Sequence, residues 1–428
     1  MCHIGSDYYA QVEGMADGRG KMMHRVMFLL DYYIPNASPN GVCIEIVAKC
    51  FVQNGWSATV VCFKNSQQSN IEVKDGVEIY RVCDPGPTHK NTKVDAIKFY
   101  SKWLLQSQFP ITERKQVTQQ LYDGADSLLR AQKYDVVVCV HLPVETLIAG
   151  TRIKERYPDI LVVSYMLDSL SGGFIPRFLP EAFARKRKLI WENNLFKKLD
   201  KVILMQSSRK HHEDHLSMEE WYDKAVYLDI PLLEKNQVSM RCEKDESHRA
   251  VITFCGLLND PYRHVRHFVE IAKNCKQYKF VFAGSSNIET ELKEIQNEED
   301  SNIVYLGQIQ HSEVEKLLSK SDVLLNLGVT VPSAISGKIF EYMSYGKPIV
   351  STYSIDNEAC IPYLSKYQLG LLIDERTGNA EQQAEQLCYF VEKTKERRID
   401  FSMVEKAFYK NTPQAFVDYL EMVTQENL

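Results

Sequence analysis

Short apolar runs alternate with longer amphipathic segments along most of the chain. The runs are rich in Val, Ile and Phe, which is typical of strands buried on both faces of a parallel sheet. The segments between them carry apolar residues at helical spacing, which predicts the crossover helices of successive βαβ units. The pattern therefore predicts an α/β fold. The predicted strands are Arg25–Leu30, Ala58–Phe63, Val77–Val82, Asp135–Val140, Ile160–Met166, Val251–Gly256, Lys279–Ala283, Asn302–Leu306, Val323–Asn326, Pro348–Thr352 and Leu369–Ile373.

Polarity divides this pattern into two halves. Residues 234–250 are charged and polar, with little hydrophobic pattern, so we predict a linker there. A chain of 428 residues suits two domains of about 200 residues, each with its own core. We therefore predict a first Rossmann-like domain over 25–233 and a second over 251–411. Residues 1–24 are polar and contain several glycines, and we expect them to form a leader outside both domains.

Composition narrows the class of protein. The net charge of −5 gives no electrostatic indication of nucleic-acid binding. Eleven cysteines without a C-x-x-C pair indicate reduced thiols. No apolar run reaches the ~18–20 residues that span a bilayer, and the first residues lack the apolar segment of a secretory signal. We therefore expect a cytoplasmic protein.

Residues 331–351 carry the most specific pattern in the chain. Small polar residues precede a short helix, Gly346 ends it, and an apolar strand follows. Lys338 and Glu341 lie one turn apart at the start of the helix. Unpaired N–H groups there attract phosphate, Lys338 adds a positive charge, and Glu341 can accept hydrogen bonds from sugar hydroxyls. A Walker A loop is excluded, since Ile339 stands where that loop needs Ser or Thr.

The phrase K-I-F-E-Y-M-x-x-G-K-P-I-V in this stretch resembles the nucleotide-binding signature of the GT-B glycosyltransferases of family 4. That family includes sucrose synthase and many bacterial polysaccharide enzymes. The resemblance implies two facing Rossmann-like domains, with a C-terminal helix within 412–428 that crosses back to the first domain. It also implies that Glu341 holds the ribose hydroxyls of a nucleotide sugar. The sequence departs from the family at Ser333, where a second glutamate is often found.

The same resemblance implies cations beside the leaving diphosphate and glycines where the backbone approaches the donor. Arg263 stands at a helix start after the Gly256 loop, so it fits the cation position better than Arg266. Gly41 follows the first strand, and an ordinary loop glycine is an equal alternative there. The implied donor-binding residues are Gly41, Gly256, Arg263, Gly284, Ser285, Ser336, Gly337, Lys338 and Glu341.

Two polar residues follow buried strands in the first domain, where site residues of open parallel sheets belong. The resemblance implies that His141 contacts the transferred sugar. The alternative is a histidine whose hydrogen bonds are satisfied by the backbone. Asp168 is a candidate for the acceptor side, and a solvated loop aspartate is the alternative. The implied catalytic residues are His141, Arg263 and Lys338, with no metal and no cofactor.

A basic segment and a histidine cluster lie between these strands and the linker. Arg177–Leu199 is predicted to be a helix with Arg185–Lys188 at its centre. Its basic and aromatic side chains suit contact with an anionic membrane, and a solvated face is the alternative. His211, His212 and His215 miss the H-E-x-x-H zinc pattern by one position, so a surface helix is predicted there instead of a metal site.

The resemblance implies a retaining glycosyltransferase. The donor is expected to be a nucleoside-diphosphate sugar, with UDP as the default, and the acceptor a glycan or a lipid-linked sugar in surface polysaccharide synthesis. Two alternatives stay open. One is a non-catalytic GT-B partner of another transferase, which Ser333 suggests, and the other is a nucleotide-sugar epimerase.

Overall fold

The computed structural model describes residues 24–35, 37–64, 68–84, 113–173, 175, 180–235, 249–331 and 335–426. Its strands are β1 Arg25–Leu29, β2 Ser57–Lys64, β3 Ile71–Lys74, β4 Val77–Cys83, β5 Val136–His141, β6 Leu161–Met166, β7 Lys201–Met205, β8 Ala225–Leu228, β9 Val251–Cys255, β10 Lys279–Ala283, β11 Ile303–Gly307, β12 Val323–Leu327, β13 Ile349–Tyr353 and β14 Gly370–Asp374. Its helices are α1 Pro39–Gln53, α2 Lys115–Ala131, α3 Val144–Arg156, α4 Glu181–Phe196, α5 Arg209–Leu216, α6 Val265–Lys273, α7 Glu289–Gln296, α8 His311–Lys320, α9 Lys338–Ser344, α10 Ile361–Lys366, α11 Ala380–Thr394, α12 Phe401–Ala407 and α13 Pro413–Glu426.

Strands β1 to β8 form one sheet in the order β3-β4-β2-β1-β5-β6-β7-β8. Only the pairing of β3 with β4 is antiparallel. The central strands β5 and β6 are buried along their whole length because helices cover both faces of the sheet, which explains their continuous apolar sequences. The order reverses between β1 and β5, so a ligand crevice is expected beyond the ends of these two strands.

Strands β9 to β14 form a second, wholly parallel sheet in the order β11-β10-β9-β12-β13-β14. This is the strand order of a doubly wound nucleotide-binding domain. Its switch point lies between β9 and β12, beyond Cys255 and Leu327. The predicted α/β class with two parallel-sheet domains is therefore confirmed.

The C-terminal helix α13 packs on the first domain. The ring of Phe416 lies 4.6 Å from that of Tyr165 and 6.3 Å from that of Phe51, measured between ring centroids. The Trp56 indole N–H donates to the Glu421 carboxylate at 3.0 Å. The chain thus returns to its first domain after completing the second, as the fold prediction required.

Several elements differ from the sequence prediction. Strands β3, β7 and β8 were not predicted. Helix α1 begins at Pro39, because Ser38 caps it and proline suits the first helical position. Helix α4 is shorter at both ends than the predicted Arg177–Leu199. Between β4 and β5 the sequence of residues 93–132 also predicts mostly helix; the structure describes α2 there, and residues 93–112 lie outside the described residues.

Candidate functional site

The helix that carries Lys338 and Glu341 is held by the second sheet and by the segment before α12. In its second turn, the Tyr342 hydroxyl accepts from the Cys255 amide at 3.0 Å and lies 3.2 Å from the Cys255 carbonyl, at the end of β9. At its end, Gly346 has φ +61° and a Cβ there would lie 2.1 Å from the Ile399 carbonyl oxygen, so only glycine fits. These contacts place the start of α9 beside the switch point.

Lys347, a second lysine of the nucleotide-binding signature, has a structural role. Its ammonium is buried and donates to three carbonyls at the end of α8, those of Leu318, Ser319 and Ser321, at 2.6–2.8 Å. A buried ammonium needs such partners because its desolvation is otherwise costly. This lysine therefore fixes the turn between α9 and β13.

Lys338 and Glu341 form an ion pair, with Nζ 2.8 Å from Oε2. Both side chains remain partly exposed, and such exposed pairs contribute only about 0–1 kcal/mol. An incoming diphosphate and ribose could therefore compete for them at little cost. Both charges also act on the Cys255 thiol, which places them at the end of β9.

Arg263 is a half-buried cation at the same edge of the sheet. Its guanidinium donates to the Leu327 carbonyl at the end of β12 and lies over the rings of Phe254 and Tyr262. Its Nε–H is buried without a hydrogen-bond partner, and burial lowers the pKa of the group. Within the described ranges, no carboxylate lies at ion-pair distance from Arg263. Such a site favours an anionic ligand.

Arg266 has the opposite environment. Its side chain is 52% exposed and forms ion pairs with Asp260 at 2.6 Å and Glu291 at 2.8 Å. Its charge is already compensated at the surface, so Arg263 is the better candidate of the two. His264, the residue after Arg263, has the unusual φ of +40°. Its Nδ1 lies 2.5 Å from a Glu375 carboxylate oxygen, and this contact holds the residue in place.

The glycine loops of the second domain cross each other closely. A Cβ on Gly284 would lie 1.8 Å from the Gly256 carbonyl oxygen, so the two loops require glycine for their own packing. Ser285 is exposed beside them, and its carbonyl accepts from the Leu258 amide at 2.9 Å. These residues lie at the carboxyl ends of β9 and β10, on the same edge as Arg263.

Ser336 and Gly337 precede α9 and lie close to the first domain. Ser336 is buried, and a Cβ on Gly337 would lie 2.8 Å from the Leu232 side chain, just before the predicted linker. Ser333, the departure from the family pattern, lies outside the described residues.

Gly41 lies within the first turn of α1. Its amide donates to the Ser38 hydroxyl at 3.1 Å, and a Cβ would lie 2.1 Å from the Tyr32 carbonyl oxygen. Local packing thus explains a glycine here without a ligand, and contact with the diphosphate stays a prediction.

His141 ends β5 and is 1% exposed. Burial lowers its pKa to about 4, against the opposing effect of Glu192, so the ring is neutral at pH 7. Its Nδ1 is buried and has no hydrogen-bond partner in the part of the chain that the structure describes. The alternative reading, a histidine satisfied by the backbone, would need a backbone partner, and none is found at this atom. A neutral imidazole in this position can exchange hydrogen bonds with a sugar hydroxyl.

Asp168 follows β6 and is exposed. Nearby protein nevertheless removes water from its carboxyl and raises its pKa. Its charge acts on the Cys43 thiol, which places it beside the start of α1. The structure thus puts Asp168 at the crevice of the first sheet, and its contact with an acceptor stays a prediction.

A buried polar network that the sequence did not reveal lies next to His141. Glu192 accepts from the Ser171 hydroxyl and lies 3.3 Å from His212 Nε2, and these two partners hold its pKa low against the effect of burial. Ser171 also bonds His211 Nε2 at 2.8 Å. The prediction of a surface helix for the histidines is therefore wrong for His212, which is fully buried.

The two domains also meet near the C-terminal crossing. The Tyr363 hydroxyl of α10 donates to the Asp229 carboxylate, just after β8. Burial raises the pKa of Asp229 to about 6. A cavity of about 720 Å³ opens here between Gln206 of the first domain and the segment from Asp356 to Tyr363 of the second.

Two negative findings concern only the described residues. Among them, no group of three or more His, Cys, Asp and Glu side chains is placed to hold a metal ion. None of the helices in these ranges is long and apolar enough to cross a membrane.

Comparison with known proteins agrees with this geometry. Residues 249–393 match the family model described as glycosyl transferases group 1. No curated protein matches the sequence significantly.

Solved structures share the fold at low sequence identity. Sucrose-phosphate synthase from Thermosynechococcus elongatus superposes with a TM-score of 0.59 at 11% identity, covering 94% of this chain and 98% of that one. An α,α-trehalose-phosphate synthase from Burkholderia xenovorans, in complex with glucose-6-phosphate, gives 0.60 at 11% identity, covering 94% and 100%. The Anabaena protein HepE, in complex with UDP and glucose, gives 0.53 at 14% identity, covering 94% and 98%. The chain therefore has the GT-B fold of these transferases, and its second domain matches the glycosyl transferases group 1.

Proposed function

We propose that the protein transfers a sugar from a UDP-sugar to an acceptor hydroxyl, with retention of the anomeric configuration. The observation that carries the proposal is Arg263, a half-buried cation at the switch point of the second sheet, with no carboxylate at ion-pair distance among the described residues. Its position beside the Lys338–Glu341 pair suits a bound nucleoside diphosphate.

The charges of the reaction explain the roles that we assign. When the bond between the sugar C1 and the phosphate oxygen breaks, negative charge grows on the departing diphosphate. Arg263 and Lys338 stabilise that charge, and preorganised electrostatic stabilisation of this kind is usually the largest catalytic effect. Glu341 releases Lys338 and accepts hydrogen bonds from the ribose. His141, on the facing domain, contacts a hydroxyl of the transferred sugar.

The resemblance to retaining family 4 enzymes supports a front-face displacement. The acceptor oxygen forms its bond to C1 on the face from which UDP departs, and the acceptor proton passes to an oxygen of the leaving phosphate. This route requires no protein base beside the acceptor. We propose that it needs no metal, since the two cations supply the positive charge that a metal would otherwise bring.

The choice of UDP has support from the structural neighbours. HepE is described with UDP bound and the Burkholderia enzyme with glucose-6-phosphate. We extend these ligand classes to this chain, with a glycan or lipid-linked sugar as acceptor and surface polysaccharide synthesis as the setting.

Membrane contact, if it accompanies this function, must use the outer face of α4. Phe183 and Ile190 are half exposed there, beside exposed Lys186 and Arg187. Arg185 and Lys188 do not face outward, so two basic residues support the contact instead of four. At about 1 kcal/mol each, two basic residues give only loose, salt-sensitive association. Flotation with anionic vesicles at low salt tests it, and absence of binding by the wild type would reject it.

Nucleotide binding tests the main proposal first. Calorimetric titration of the full chain with UDP, GDP and ADP should show the tightest binding for UDP, and a ligand at ~100 times its dissociation constant should add about 2.7 kcal/mol of stability. Failure of all three nucleotides to bind would refute the proposal.

Turnover then separates the alternatives. Incubation with a panel of UDP-sugars and acceptors should release UDP. Interconversion of two UDP-sugars without UDP release would indicate an epimerase. Tight UDP binding with neither reaction would favour a non-catalytic partner.

A further inference from the structure

The loop after β13 carries a buried carboxylate with one unsatisfied oxygen. Glu358 is 2% exposed. Its Oε2 accepts from the Cys360 amide at 2.8 Å, whereas its Oε1 is buried and has no hydrogen-bond partner among the described residues. Native proteins seldom keep a buried acceptor without a donor, because burial removes the water that would otherwise satisfy it. The second oxygen therefore needs an explanation.

The surroundings of Glu358 place its carboxyl beside Arg263. Burial raises the pKa of the carboxyl, and the Cys360 amide and thiol, the Val329 amide and the charge of Arg263 oppose that rise without completing a hydrogen bond to Oε1. Val329 comes just after β12, and the Arg263 guanidinium donates to the carbonyl of Leu327, the last residue of that strand. The charge of Glu358 acts in turn on Arg263 from beyond ion-pair distance. Glu358 thus lies near the end of β12, at the same edge of the sheet as Arg263.

The loop that carries Glu358 also contacts the start of α9. Burial raises the pKa of the Cys360 thiol, and the backbone of Ser336, two residues before Lys338, opposes that rise. The ring of Tyr363, in the helix after the loop, lies 5.0 Å from that of Phe340 in α9, measured between centroids. The loop, Arg263 and the start of α9 therefore converge on one place in the second domain.

Space for a ligand adjoins the same loop. Glu358 lines the cavity of about 720 Å³ between the two domains, together with Gln206 and Ser207 just after β7. Small-molecule sites have volumes of about 300–1,000 Å³, so this cavity is large enough for a monosaccharide.

The chemistry of a carboxylate limits what its free oxygen can bind. An ionised carboxylate only accepts hydrogen bonds, so Oε1 requires a donor. The diphosphate of a nucleotide sugar is itself anionic and does not supply one. We assign the ribose hydroxyls to Glu341. The remaining part of the donor that adjoins the diphosphate is the transferred sugar, whose hydroxyls are hydrogen-bond donors.

We propose that Glu358 accepts a hydrogen bond from a hydroxyl of the transferred sugar. This inference rests on the proposed transferase function and adds a residue that selects the donor sugar. Arg263 binds the diphosphate and Glu358 binds the sugar beside it, so the two side chains orient the sugar relative to its leaving group. A site that bonds a substrate hydroxyl discriminates strongly against the analogue without it, because the buried polar group is then left unpaired.

The experiment uses the full chain and first selects a probe. UDP, UDP-glucose, UDP-galactose and UDP-N-acetylglucosamine are titrated by calorimetry, and the UDP-sugar that binds most tightly becomes the parent ligand. Analogues of the parent that each lack one hydroxyl of the transferred sugar are titrated next. One analogue should bind to the wild type at least about tenfold more weakly than the parent.

Glu358→Gln tests whether this residue causes that loss. Glutamine keeps an oxygen for the Cys360 amide, removes the charge and leaves at most a weaker, neutral hydrogen bond to the sugar. The parent should bind about tenfold more weakly, and the penalty for the same analogue should shrink to within about threefold. UDP has no transferred sugar, so its affinity should stay equal or rise, because a negative charge that acts on Arg263 is removed. A purely structural role of Glu358 would weaken UDP and the UDP-sugar alike.

Asp356 provides a matched control two positions earlier in the same loop. Its side chain is 88% exposed and pairs with Arg376 at 2.7 Å. Asp356→Asn should leave the affinities for UDP, the parent and every analogue unchanged. If Glu358→Gln fails to fold, Glu358→Asp decides the outcome, because it keeps the charge but withdraws the carboxylate by one methylene. The losses expected for Glu358→Asp are those given for Glu358→Gln.

The inference is overturned if no analogue binds the wild type more weakly than the parent does. It is also overturned if the analogue penalty is the same in the wild type and in the Glu358 variant, or if that variant loses affinity for UDP and the parent equally. Failure of the proposed function gives a different result, because the wild type would then not bind UDP at all.

Discussion

Replacing Arg263 by methionine should separate ligand binding from stability. Methionine keeps an unbranched apolar side chain against the rings of Phe254 and Tyr262 and removes the charge. A hydrogen bond to a charged group contributes about 1.5–3 kcal/mol. A loss of about 2 kcal/mol corresponds to about thirtyfold in the dissociation constant of UDP. Turnover should fall further, by about 10²–10³-fold, because charge grows on the diphosphate in the transition state.

The same substitution should change the free energy of unfolding little. It removes the hydrogen bond to the Leu327 carbonyl, worth about 1 kcal/mol, and it also removes a charge whose burial is unfavourable. The two effects oppose each other, so we expect a net change within about 1 kcal/mol. Urea denaturation of the ligand-free protein measures it.

Two comparisons make the test specific to the diphosphate. Uridine lacks phosphate, so its affinity should not change in Arg263→Met, whereas that of UDP should fall. Arg266→Met removes an exposed arginine with two carboxylate partners and should leave UDP binding unchanged. Equal UDP affinity in the two variants, or an equal loss for uridine and UDP, would refute the assignment of Arg263.

Three further predictions follow from other contacts. Glu341→Ala should weaken UDP binding by about 1.5–3 kcal/mol but leave 2′,3′-dideoxy-UDP unaffected, and an equal loss for both ligands in calorimetry would contradict the ribose contact. The raised pKa of Asp229, about 6, means that its ionisation opposes folding, so this group's stabilisation is present at low pH and is lost as the pH rises from about 4 through about 6. Thermal unfolding of Asp229→Asn should lack that part of the decline, and an unchanged pH slope would exclude it. The Cys275 and Cys388 sulfurs lie 3.4 Å apart, so hydrogen peroxide should join the two thiols as a disulfide while being reduced to water. Intact mass should show the loss of two hydrogens in the wild type and not in Cys388→Ser, and a wild type that keeps both thiols would contradict the expectation.

The sequence predicted the parallel sheets well because their central strands are buried on both faces. Such strands carry continuous apolar runs, which are visible without any tertiary information. Strand β7 has it too, since Val202–Met205 is apolar and buried, and it was simply overlooked. The other two missed strands, β3 and β8, lack this property. Glu72 and Lys74 lie in the antiparallel edge strand β3, whose residues are mostly exposed, and β8 is only four residues long and mostly half buried. Edge strands gain their order from their neighbours more than from their own composition.

The basic helix shows where local pattern fails. Phe183 and Ile190 are half exposed on α4, whereas Lys188 and Glu192 are buried. This reverses the expected amphipathic order, in which apolar side chains face the core. The partners that make the reversal possible, Ser171 and His212, come from other segments of the chain, so no window of the helix sequence contains the information.

The proposed donor side was easier to locate in the sequence, for a related reason. Lys338 and Glu341 are three residues apart on one helix, and Gly346 ends that helix within the same short stretch. A site built from one contiguous segment appears in the sequence as a motif that can be recognised without tertiary information. The surroundings of Arg263 are different, because the Leu327 carbonyl that it contacts lies on another strand. The sequence suggested the residue, and only the structure shows that no carboxylate of the described residues lies at ion-pair distance from it.

Sequence identity to the solved structures is low, so the ligands of this chain have to be inferred from its own side chains. At 11–14% identity the backbone path is shared while most side chains differ, so the fold alone does not identify the ligands of this chain. Charge does carry that information, because a partly buried cation without full compensation is unfavourable unless an anion binds beside it. Arg263 on the second domain is such a cation. The proposed transferase, with its anionic donor, accounts for this position. A GT-B protein that served only to support another enzyme would have no need for it.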